Sequence, residues 1–161
     1  ISVSDFKKED FIYAQKSLRI LSGLYGILKP LDLIQPYRLE MGTKIKIGSH
    51  NDLYDFWGDE ITKSINEDKN SDYLINLASA EYFKSINKEK LNGKLINIFF
   101  KEKRNGSYKI IGINAKKARG LMSRYIIKNK ISNPIKLKKF KEENYSYNKN
   151  LSSDSNWVFT R

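Results

Sequence analysis

The run Leu95-Ile96-Asn97-Ile98-Phe99-Phe100-Lys101-Glu102-Lys103-Arg104-Asn105-Gly106-Ser107-Tyr108-Lys109-Ile110-Ile111 reads as a β-hairpin in its arms and in its turn. Residues 95–103 and 107–113 are rich in Ile, Phe and Tyr, which suit a pleated surface. Between them Asn105-Gly106 suits a two-residue type I′ turn, because both turn positions need positive φ. A helix from Ala115 to about Lys130 follows. On a helical wheel Ala118, Leu121, Met122, Tyr125 and Ile126 fill one arc, and Lys117, Arg124 and Lys128 form a narrow stripe at its edge. Asn133-Pro134 ends that helix. A short basic element with Lys136, Lys138, Lys139 and Lys141 comes next, and Trp157-Val158-Phe159 reads as a last strand.

Working back from the hairpin, residues 73–78 read as a short buried strand and residues 79–84 as the start of a short helix. Leu53, Phe56, Trp57, Ile61 and Ile65 line one side of an amphipathic helix, and residues 43–47 suit a strand. Ser4 is placed to cap a helix from about Asp5 to Leu21, with Gly23 as its stop. Strands and helices mix without regular βαβ alternation. The fold class expected is therefore α+β, a mixed α/β arrangement of helices around a mixed sheet. The 161 residues suit a single domain, 1–161.

Composition narrows the function. There is no cysteine and one histidine, His50, so a disulfide framework, a thiolate metal site and a cysteine nucleophile are excluded. No apolar run approaches the ~20 residues that span a bilayer, and no signal peptide is visible, so a cytoplasmic protein with no membrane association is expected. Lys and Arg number 30 against 18 Asp and Glu, a formal charge of +12. Residues 1–80 hold 10 basic and 12 acidic residues, whereas residues 81–161 hold 20 and 6. A basic field concentrated in one half is the footprint of a polyanion binder. AT-rich coding would also raise lysine, but it would raise it in both halves.

Four segments are candidates for chemistry. Leu21-Ser22-Gly23-Leu24-Tyr25-Gly26, between Arg19 and Lys29, fits a glycine hairpin whose backbone N–H groups meet a phosphate, but fits an ordinary helix end and turn better. Lys116, Lys117, Arg119 and Arg124 crowd the start of a helix, against the macrodipole, which suits either an anion site or a solvated basic face. Arg38 and Glu40 lie two apart in Pro36-Tyr37-Arg38-Leu39-Glu40-Met41-Gly42 and suit a substrate contact or a structural ion pair. Asp32, Glu40, Asp55, Asp59 and Glu81 are the acids available to a metal-dependent nuclease or phosphohydrolase, though no spacing motif joins them. No Ser-His-Asp order, Walker A run or Gly-x-Gly-x-x-Gly occurs. No catalytic residue, resident metal or cofactor is assigned.

The segment Leu18-Arg19-Ile20-Leu21-Ser22-Gly23-Leu24-Tyr25-Gly26-Ile27-Leu28-Lys29-Pro30-Leu31-Asp32-Leu33-Ile34-Gln35-Pro36-Tyr37-Arg38-Leu39-Glu40-Met41-Gly42 resembles the YaaA peroxide-stress resistance family of bacteria. Leu53-Tyr54-Asp55-Phe56-Trp57-Gly58, Asn76-Leu77-Ala78-Ser79 with Glu81-Tyr82-Phe83-Lys84, and Lys116 to Tyr125 with Ile126-Ile127 agree in order and spacing. The resemblance covers essentially the whole chain. Family members open with a Ser-Pro-Ala-Lys segment after a short apolar strand, so the chain is expected to correspond to the C-terminal part of a member. The resemblance implies protection against hydrogen peroxide by keeping unincorporated iron low, a single mixed fold, a basic cleft and a helix-hairpin-helix element. It also implies a DNA partner, duplex or distorted and partly single-stranded, and no catalytic step. Arg19, Gly23, Tyr25, Gly26, Lys29 and Arg38 would then surround the hairpin, and Lys116, Lys117, Arg119 and Arg124 would line the cleft. The two residues between the glycines, where the element usually has one, are a departure from its pattern.

Overall fold

A computed structural model describes residues 1–68 and 72–161. The elements run in the order α1 (Lys8–Ser17), β1 (Ile20–Ser22), β2 (Gly26–Leu28), α2 (Leu53–Trp57), α3 (Glu60–Glu67), β3 (Tyr73–Asn76), α4 (Ala80–Phe83), β4 (Lys94–Arg104), β5 (Ser107–Lys109), α5 (Gly112–Lys128), β6 (Ser146–Tyr147) and β7 (Asn156–Thr160). The class is mixed α+β, as the sequence indicated. By internal packing the chain divides into two compact units. The first comprises Ile1–Tyr13, Tyr73–Leu77 and Gly93–Arg161, and the second Ala14–Asp72 and Ala78–Asn92.

The first unit is built on a sheet of order β3-β4-β7-β6, with β5 folded back on the end of β4. β4 runs parallel to β3 and to β7, while β6 and β5 are antiparallel to their partners. The predicted turn is present, with Arg104 opposite Ser107 and both Asn105 (φ 50°) and Gly106 (φ 77°) in the left-handed region. The second arm, however, ends at Lys109 and not at 113, because α5 begins at Gly112, and only residues 102–104 of β4 pair with it. Ile96, Ile98 and Phe100 alternate along β4 onto one face and meet Ala115, Ala118 and Met122 of α5. Phe100, Phe140, Tyr145 and Phe159 close this core, with Phe100 centroids 5.9, 5.0 and 5.6 Å from the other three in that order. Each such aromatic contributes about 2–3 kcal/mol through burial.

Beyond α5, Pro134–Lys139 is a 3₁₀ helix. Ile131, Pro134, Leu137 and Phe140 are buried every third residue, which is the 3₁₀ repeat, and this leaves Lys136, Lys138 and Lys139 outside. Lys138 lies over the rings of Tyr147 and Trp157, at 4.8 and 4.7 Å from their centroids.

The second unit departs from several expectations. α1 ends at Ser17, four residues short of Leu21, because residues 20–22 pair with residues 26–28 as an antiparallel hairpin. Gly23–Gly26 is thus the turn region of a β-hairpin. No helix follows it before Leu53, so the segment is not a helix-hairpin-helix element. The helix expected around Trp57 is two, broken where Gly58 takes φ 47° and closes α2. Residues 43–47 form no strand. Their side chains lie mostly in solvent, and only an isolated bridge joins Ile47 to His50.

Candidate nucleic-acid interface

The cations of α5 fall into two groups. Lys117 pairs with Glu143 at 2.7 Å, Arg124 with Asp5 at 2.5 Å, and Lys128 with Asp10 at 3.1 Å and Asp5 at 3.7 Å. Lys130 also binds Asp10. Phe6 packs beneath this stripe, with Arg124 and Lys128 5.4 and 5.6 Å from its ring centroid. Asp10 is buried, and the Lys130 hydrogen bond, followed by the Lys7 N–H, holds its carboxyl far below the usual range. The edge stripe read as Lys117, Arg124 and Lys128 is therefore largely neutralised by carboxylates of its own unit.

Lys116 and Arg119 form the second group. Lys116 is exposed and has no ion pair among the described residues. Arg119 is partly buried, and desolvation pushes its pKa down. Its Nε donates to the Ala115 carbonyl at 3.2 Å, and among the described residues no carboxylate pairs with its guanidinium. A cavity of about 700 Å³ is lined by Lys116, Lys117, Gly120, Leu121, Arg124 and the segment around Ser2 and Asp5. Three of the four cations predicted for a cleft thus meet at one cavity, together with one carboxylate.

In the second unit the hairpin candidates serve internal structure. Arg19 binds Asp68 and donates to the carbonyls of Gln15 and Leu18, and Lys29 reaches Asp68 at 3.3 Å. A small cavity of about 290 Å³ holds these three groups with Asp32 and Ser64. Gly23 and Gly26 are buried. A Cβ on Gly23 would lie 2.5 Å from the Leu39 carbonyl oxygen, and one on Gly26 would lie 2.8 Å from the Trp57 ring. The Trp57 indole N–H donates to the Gly23 carbonyl at 3.0 Å. These glycines are required by neighbouring protein, and both are covered by it. Tyr25 stacks edge-on against Tyr37 at 5.4 Å, its hydroxyl accepts from the Gln35 N–H, and its own N–H donates to Ser22 Oγ. Arg38 is exposed and does not pair with Glu40.

The candidate acids do not converge. Asp32 accepts from the Lys29 N–H, Glu81 from the Gly42 N–H, Asp55 from the Asn51 N–H, and Asp59 is held by Lys90 and Asn87. Among the described residues no three Asp, Glu or His side chains gather closely enough to hold a metal ion. No described helix is long and apolar enough to cross a membrane.

The charge follows the division of the fold. The first unit carries nineteen Lys and Arg against seven Asp and Glu, and the second carries eleven against eleven. All of the +12 therefore resides in the first unit. Counting by halves of the sequence hides how complete this separation is. Only the fold shows that residues 81–92 belong with the neutral unit and residues 1–13 with the basic one.

A mixed α+β chain with one basic unit and one neutral unit is the class these observations define. Residues 1–151 match the family described as peroxide stress protein YaaA. A UPF0246 protein of Acaryochloris marina is 57% identical over 162 residues, which cover 100% of this chain and 64% of the relative. UPF0246 proteins of Colwellia psychrerythraea and Clostridium botulinum are 53% and 52% identical, over 100% and 99% of this chain and 64% and 65% of their own lengths. The chain belongs to the peroxide stress protein YaaA family. It spans slightly less than two-thirds of the length of these relatives.

Proposed function

We propose that this chain acts in the bacterial response to hydrogen peroxide as a DNA-binding protein without a catalytic step, and so limits damage linked to free iron. The observation that carries the reading is the placement of the whole +12 charge in the first unit. Ion pairing leaves much of that charge available. Among the described residues Lys101, Lys103, Lys109, Lys116, Lys136 and Lys139 have no carboxylate partner. Cations in such number neutralise backbone phosphates and release counterions, which favours binding without dependence on sequence. Family membership supports the peroxide context.

The test is binding of the chain to two unrelated DNA duplexes, followed by fluorescence anisotropy at low salt. Affinities that agree within about twofold are expected, because phosphate contacts carry no sequence information. The labelled strand should also stay intact in Mg²⁺ or Mn²⁺. Failure to bind either duplex overturns the DNA reading, and cleavage overturns the non-catalytic one.

A further inference from the structure

We infer that the β4–β5 hairpin is the element that enters the DNA, lying in the major groove with cations on both of its faces. The inference rests on the DNA reading above and goes beyond it by naming the contacting element and the form of nucleic acid it fits.

Residues 103–110 are exposed without interruption, the longest such run among the described residues of the first unit. The cause is topological. β7 ends at Thr160, and the last main-chain bond across to β4 runs from the Lys103 N–H to the Arg161 carbonyl. The β4–β5 ribbon has three residue pairs, 102–104 with 107–109, and among the described residues its tip, the Arg104–Ser107 pair with the Asn105-Gly106 turn, has no third strand beside it. A ribbon of this kind is admitted by the major groove of B-form DNA, which is about 12 Å wide.

The register sorts the side chains. Lys103 is paired with Tyr108, so these two share one face, with Lys101 two residues back on the same side. Glu102 is paired with Lys109, and Arg104 with Ser107, which places Lys109 and Arg104 on the opposite face. The one carboxylate of the ribbon is removed from the surface. Glu102 is 6% exposed and accepts from Asn114 at 2.7 Å, Tyr145 at 3.0 Å and Arg161 at 3.0 Å. Arg104 reaches its second oxygen at 3.2 Å. Among the described residues Lys101, Lys103 and Lys109 have no ion pair. A groove has a phosphate backbone on either wall, and a ribbon with cations on both faces meets both. A flat acidic surface would engage one face only. The deep, narrow major groove of A-form RNA excludes such a ribbon.

The experiment compares three forms of the 161-residue chain on a 20-base-pair DNA duplex, titrated with salt. The double variant K103A/K109A removes one cation from each face. K44A/K46A removes the same charge from exposed positions of the neutral unit. The hairpin variant is expected to bind about tenfold more weakly, and its log–log salt slope to fall by about 2. The control is expected to stay within about twofold of the parent, and an RNA duplex of the same sequence to bind more weakly than DNA. K103Q/K109Q, which keeps long polar side chains, should reproduce the loss if K103A/K109A proves less stable. Equal losses from hairpin and control variants, or no loss from the hairpin variants, overturn the hairpin while leaving DNA binding standing. An RNA duplex bound as tightly as DNA overturns the major-groove assignment. A parent chain that binds no DNA overturns both readings.

Discussion

At the scale of single residues, Glu102 and Gly26 show how position decides a role that residue type leaves open. Glu102 continues the buried row Ile96, Ile98, Phe100 along β4, where an apolar residue would be expected. Burial pushes its pKa up, but hydrogen bonds from Asn114, Tyr145 and Arg161 outweigh that and leave it below the usual value. The same contact and, before it, burial push the Tyr145 phenol up to about 12. A carboxyl depressed in the folded state adds stability above its ordinary pKa of about 4.3, and that stability is lost as pH falls through the folded value. Glu102→Ala should cost about 2–3 kcal/mol at pH 7 by leaving the buried Tyr145 hydroxyl and the Asn114 amide without their acceptor, while Arg161 keeps Glu143. Glu102→Gln should flatten the loss of stability seen below about pH 5. Urea unfolding across pH reads both effects, and a Glu102→Gln curve parallel to the parent's would show that another group sets the acid limb. Gly26 makes the corresponding point for the backbone. Gly26→Ala adds left-handed strain to a collision with Trp57, about 3 kcal/mol together. Gly106→Ala, with φ +77° and nothing within 4 Å, should cost only about 1 kcal/mol. Equal costs at the two glycines would contradict the packing role given to Gly26.

Among the elements, those whose signal is local were legible in the sequence. The Asn105-Gly106 turn, the core-facing side of α5 and the strand around Val158 needed only turn chemistry and side-chain period, and all three are present, although in α5 Ser123 and Ile127 are buried while Leu121, Tyr125 and Ile126 are only partly buried. The β1–β2 hairpin is not legible in the sequence, because two strands of three residues have too little pattern to compete with the helical spacing of Ala14, Leu18 and Leu21. Pairing of residues 20–22 with residues 26–28 then ends the helix early. The 3₁₀ segment was visible only as a cluster of lysines. Its three-residue repeat of Ile131, Pro134, Leu137 and Phe140 was there to be read, but such short repeats carry little weight before the core they face is known. Leu137→Ala should accordingly cost about 3 kcal/mol, and Ile135→Ala, at 64% exposure, under about 0.5. Chemical denaturation distinguishes them, and comparable losses would contradict the assigned period.

For the molecule as a whole, the candidate site was legible as charge and illegible as pairing. Counting lysines located a basic half. It did not show that Asp5, Asp10 and Glu143 return to neutralise Arg124, Lys128 and Lys117, since those partners lie up to 123 positions away in sequence. It likewise did not pick out the β4–β5 ribbon, whose proposed DNA contact rests on the sheet stopping beside it. Lys117→Ala together with Arg124→Ala should therefore weaken DNA binding less than K103A/K109A does. Phosphate affinity should follow unpaired charge and not charge alone. The measurement that addresses the central claim most directly is the salt dependence of binding to a mixed-sequence duplex, from about 50 to 300 mM. A linear log–log plot with a slope of magnitude about 4 or more is predicted, which corresponds to several phosphates neutralised at once. A slope below about 1, or no binding at the lowest salt, would contradict it and leave the +12 charge of the first unit without a nucleic-acid role.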